Sequence, residues 1–159
     1  MASSGAAGPF QQPATRHRGG SMIFGGVNFG GVLLAATASF LFGGLWYTAF
    51  SRGSLADATE AETEHRRPRL HVNAVPFIIA FVALFIMAYV LAAALDRLGD
   101  VSVRTGVISA LFVWGGFVAT SLVVTNMVQG VSRVATLVDG GHWLGVLVIQ
   151  GAVIGWLGG

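Results

Sequence analysis

Asp139-Gly140-Gly141-His142 is the stretch of this chain whose residue types and spacing come nearest to chemistry. A carboxylate and an imidazole three residues apart share one face of a helix. There they can relay protons or hold a cation near a membrane interface. The same residues also fit a structural role. Asp139 can be the N-cap of a helix beginning there, accepting a first-turn N–H and facing the positive end of the helix dipole. His142 is then an interfacial residue beside Trp143. One aspartate and one histidine are too few ligands for a dedicated metal site, so no metal and no cofactor is expected.

Asn126 and Gln150 are the other polar candidates, each inside a long apolar stretch. Amides in such stretches usually hydrogen-bond across helices, and the sharper reading is a substrate or ion pathway. Asn28 either joins them or meets headgroups. The pairs Gly43-Gly44 and Gly115-Gly116, with Gly151 and Gly155 at four-residue spacing, suit close helix packing. The glycine pairs could alternatively break helices to expose carbonyls to a ligand. Trp46, Tyr47, Trp143 and Trp156 fit interfacial aromatic belts.

These residues need elements to hold them, and composition says which kind. Of 159 residues, 54% are hydrophobic and 10% charged, against about 25% charged in a soluble domain. The basic residues are all Arg, the formal charge is only +2, and there is no Cys. A nucleic-acid footprint, disulfides and thiolate chemistry are thereby excluded. Lys-containing phosphate loops, Gly-x-Ser-x-Gly and His-Glu-x-x-His are absent, so no catalytic residue is assigned and an enzyme is disfavoured.

Residues 1–21, rich in Ala, Ser, Gly, Pro and Gln, read as a disordered tail, with Met22 an alternative start. Ala36-Thr37-Ala38 resembles a cleavage site, but the apolar run continues to Phe50, which favours an uncleaved helix. Residues 22–159 form one domain with four spans, at about 24–50, 74–95, 102–129 and 140–157. Each is near the roughly 20 residues that cross a bilayer. The loop at 51–71 runs from acidic to basic and reads as solvated, with Asn73 the N-cap of the second helix and Pro76 in its first turn. The short Asp96–Asp100 link makes the second and third helices antiparallel neighbours. The fold class is thus an all-α membrane protein, four transmembrane helices in a small antiparallel bundle with both termini on one side. With Met22 as the start, the arginines favour the first loop on the cytoplasmic side.

Asn28, Phe42-Gly43-Gly44-Leu45-Trp46-Tyr47, Gly116-Phe117-Val118-Ala119-Thr120, Asn126, Asp139-Gly140-Gly141-His142-Trp143-Leu144 and Gly151-Ala152-Val153-Ile154-Gly155 follow one another in order. In these the chain resembles the bacterial membrane proteins of domain of unknown function 1761, over about Val27 to Trp156. The family continues after Trp-Tyr with a Ser-Pro and Phe-Gly-Lys type segment, where this chain has Thr48-Ala49-Phe50-Ser51-Arg52. The resemblance implies a four-helix protein of a bacterial cytoplasmic membrane and no activity. The expected function is a non-enzymatic accessory or structural subunit, partnered by the lipid bilayer and by a second copy or another membrane protein. The alternative is a small oligomeric transporter or channel with a polar path near Asn126, Gln150 and Asp139.

Overall fold

A computed structural model of the chain describes residues 23–24, 27–57 and 74–158. The expected tail, most of the first loop and the Asn73 cap lie outside the described residues. A two-residue antiparallel ladder, β1 (Ile23–Phe24) with β2 (Val27–Asn28), leads into α1 (Phe29–Asp57). It is followed by α2 (Val75–Leu98), α3 (Val103–Val113), a π-helical segment (Trp114–Ala119), α4 (Thr120–Val128) and α5 (Arg133–Gly158). The α3, π and α4 segments make one span, so four helices are long and apolar enough to cross a membrane. This is the expected all-α architecture.

Local chemistry sets the helix ends. Asn28 Oδ1 accepts the Gly31 N–H at 3.2 Å and so caps α1. A proline in the first turn of α2 sacrifices only an N–H that has no partner within the helix. Gly99, at φ 76°, turns the chain out of α2, where a side chain would be strained. Ser102 caps α3 through the Thr105 N–H at 3.3 Å.

One expectation is corrected here. The last helix does not begin at Gly140 with Asp139 as its cap. It begins at Arg133, because Ser132 Oγ accepts the Ala135 N–H at 3.2 Å and Ser132 C=O accepts that of Thr136 at 3.0 Å. Asp139 is therefore an interior residue of α5. The third span runs unbroken over Val103–Val128, close to the expected 102–129, and widens around Gly115-Gly116 into the π segment. Thr120 Oγ1 lies 2.9 Å from Gly116 C=O and 3.1 Å from Phe117 C=O, so its hydroxyl serves carbonyls that the wider turn leaves under-used. The glycine pair widens the helix without breaking it.

Helix α5 is the element the others share. It packs antiparallel to α1, with Gly31 beside Leu157 and Tyr47 beside Asp139. It packs antiparallel to the third span, with Ser102 beside Gly155 and Asn126 beside Thr136. A compact core of Val27, Val32, Ala35, Ala36, Ala88, Leu91, Ala92, Leu95 and Ile154 joins α1, α2 and α5. Of the most apolar window of each span, 39% is buried in α5 but only 6% in the third span, which leaves the latter largely open to its surroundings.

The α3–α5 contact is backbone against backbone. A Cβ on Gly151 would collide with the Gly106 carbonyl, one on Gly106 with the Gly151 carbonyl, and one on Gly155 with the Ser102 carbonyl. Gly151→Leu is therefore expected to lower stability by at least the roughly 1–3 kcal/mol typical of overpacking, read as a fall in the unfolding midpoint in detergent. Gly116→Ala, where a Cβ meets nothing within 4 Å, should leave stability unchanged or raise it by up to about 1 kcal/mol through helix propensity.

Candidate functional site

The polar residues of the spans gather in three places along α5. Deepest is Gln150, fully buried with Ser39. Its Nε2 donates to Ser39 Oγ at 3.1 Å and to the Leu84 carbonyl at 3.0 Å, while Ser39 Oγ donates to Ala36 C=O at 3.0 Å. One amide thus ties α5 to α1 and α2, and its Oε1 has no hydrogen bond among the described residues. Each such interhelical bond is worth roughly 0.6 kcal/mol in a membrane, so the knot specifies register more than it stabilises.

The second place is the α1–α5 seam. His142 is only 7% exposed. Its ring is stacked on Phe42 (6.3 Å, 6°), 4.7 Å from Tyr47 and 5.2 Å from Trp143. It fits there because α1 carries Gly43: a Cβ at that position would stand 2.9 Å from His142 Nε2. His142 Nδ1 and Trp46 Nε1 are both buried without a hydrogen bond among the described residues. Beside them Tyr47 Oη donates to Asp139 Oδ1 at 3.5 Å, a long contact.

The third place lies near the start of α5. Asn126 is buried, and its Nδ2 donates to Thr136 Oγ1 at 3.1 Å. Nearby, Trp114 Nε1 donates to the Gly140 carbonyl at 2.9 Å and pins the π segment to α5. The remaining candidates are not drawn in. Asn28 is the α1 cap, Trp156 is 70% exposed, and Cβ atoms on Gly44, Gly115 and Gly116 would meet nothing within 4 Å.

Asn126, Asp139 and Gln150 are not brought together. Between the Asp139 and Gln150 levels, the Phe42 ring lies against Gly145, and Val146 and Leu147 are buried. The seam therefore holds an aromatic and carboxylate cluster above a sealed apolar layer. No group of three or more His, Cys, Asp or Glu residues able to hold a metal occurs among the described residues. Ser39, Phe42, Gly106 and Trp114 were missed as candidates. A signal existed for two of them: Ser39 is a lone polar residue in mid-run, and Ser102, Gly106 and Ala110 form a small-residue row at four-residue spacing.

Among the described residues His142 contributes ring contacts and no hydrogen bond, so His142→Phe should keep the fold, with stability changed by less than about 1.5 kcal/mol as for a volume-conserving swap. Gln150→Leu removes two interhelical bonds and should cost about 1.2 kcal/mol, at roughly 0.6 each, and no more than about 3.4 kcal/mol, twice the upper end for one. Reversible unfolding in bicelles measures both.

No curated protein and no solved structure matches the chain. A family model described as a protein of unknown function, DUF1761, matches residues 31–155. That stretch takes in most of each of the four spans, the Gln150 knot and the seam residues Phe42, Gly43, Trp46, Tyr47, Asp139, His142 and Trp143. By this match the chain belongs to the DUF1761 family.

Proposed function

We propose that the protein is a non-enzymatic accessory or structural subunit of a bacterial cytoplasmic membrane, working through a helix–helix contact on its third span. The observation that carries the reading is the contrast between the two small-residue faces. Gly106, Gly151 and Gly155 are consumed by the protein's own α3–α5 contact, whereas Gly115 and Gly116 face open space in a span only 6% buried. Beside them runs a shallow groove of about 450 Å³ lined by Phe117, Val118, Ser121, Leu122, Thr125 and Trp143. The Ser121 and Thr125 hydroxyls have no hydrogen bond among the described residues. In lipid such groups find a partner only on another polypeptide or in their own backbone. A second copy or another membrane protein supplies that helix. The apolar layer of Phe42, Val146 and Leu147 argues against a polar route through a single chain.

Native mass spectrometry of the protein released gently from its membrane tests this reading. A homo-oligomer or a stoichiometric second protein is expected, and Gly116→Leu should abolish it without lowering the unfolding midpoint. A monomer carrying only lipid, or an assembly indifferent to Gly116→Leu, would refute the reading.

A further inference from the structure

Asp139 lies six residues inside α5, about 9 Å along the helix from its start. A carboxylate at that depth is costly unless it is paired. Its hydrogen-bonding partner among the described residues is Tyr47 Oη, at 3.5 Å. That distance is well beyond the roughly 2.7–2.8 Å of a normal O–H···O bond, so nearly all of the carboxylate's acceptor capacity is unused. Tyr47 is 46% exposed, which opens this side of the seam outward.

Aromatic rings stand around the tyrosine. His142 is 4.7 Å from Tyr47 and 5.2 Å from Trp143, so three π systems form one continuous cluster next to the acid. His142 takes no hydrogen bond among the described residues. We propose that the outer face of Asp139, Tyr47 and Trp143, backed by the buried His142 ring, binds an organic ammonium group, carried by a lipid headgroup or by a soluble amine.

The chemistry selects this class. The carboxylate neutralises the positive charge, and the ring faces receive the methyl or methylene groups around it. A hard inorganic cation would need several more oxygen ligands than the one carboxylate and one phenol present. An anion would meet the carboxylate. The proposed site shares Trp143 with the groove beside Gly115 and Gly116 but takes its charge from Asp139 on the α1–α5 seam, so Asp139→Asn tests it apart from the assembly reading.

Two probes test it. Tetramethylammonium chloride is titrated against the detergent-solubilised protein, with sodium chloride as control and the shift in unfolding midpoint as readout. In parallel, native mass spectrometry compares retention of phosphatidylethanolamine and phosphatidylglycerol from nanodiscs. A saturable shift with tetramethylammonium marks a soluble amine as the source, and selective retention of phosphatidylethanolamine marks a headgroup. In either case Asp139→Asn should weaken binding about tenfold or more, with Asp139→Glu recovering most of it. Trp143→Leu, which keeps the charge and removes a ring, should weaken it as well. The proposal is overturned if neither probe responds to the wild-type protein, if Asp139→Asn binds as wild type does, or if Trp143→Leu leaves the affinity unchanged.

Discussion

The rest of the structure depends on the approach of the third span to α5 at Gly106, Gly151 and Gly155, where main chain meets main chain. Lipid tails are as apolar as leucine, so the hydrophobic effect does not hold two helices together inside a bilayer. Close van der Waals packing does, and it is strongest where no side chain keeps the backbones apart. The row Ser102, Gly106, Ala110 faces Gly151 and Gly155 and sets that approach. Further along, the same pairing places Trp114 on the Gly140 carbonyl and Asn126 on Thr136.

A second constraint is that polar groups in lipid must be satisfied from within the protein. Most are, and locally: Thr37, Thr48 and Thr120 bond back to carbonyls three or four residues earlier. Others reach across helices: Asn126 and Trp114 bond from the third span to α5, and Gln150 joins α5 to both α1 and α2 through Ser39 and the Leu84 carbonyl. Against that background the α1–α5 seam is unusual. Among the described residues it holds a buried imidazole and a buried indole N–H without hydrogen bonds, and beside them a carboxylate with one long contact. Gly43 makes the seam possible by leaving room for the histidine ring against α1.

The closest backbone approaches are made by glycines of α5 and α3, whereas Gly115 and Gly116 lie on a surface that no described residue covers. The π segment belongs to that surface. Its widened turn is held by the Thr120 hydroxyl on one side and by Trp114 on the other, so the open glycines sit on a defined shape.

The sequence by itself determined the number of spans and their class. Length and uninterrupted apolarity are local properties that the bilayer reads directly, and the family resemblance added the same architecture. It also exposed the four-residue spacing of Gly151 and Gly155. Helix ends were less legible. A strong Asp-Gly-Gly pattern imitated a cap, while the actual cap, Ser132, lay upstream in a less conspicuous stretch. Only the tertiary structure decided which polar residues meet. Asn28, Asn126, Asp139, His142 and Gln150 look alike in a list, yet one is a cap, two bond across helices, and two flank the same tyrosine. The rotational setting of each helix against α5 separates them. Backbone contacts between residues 45 or more apart in the chain impose that setting, and no local pattern encodes it.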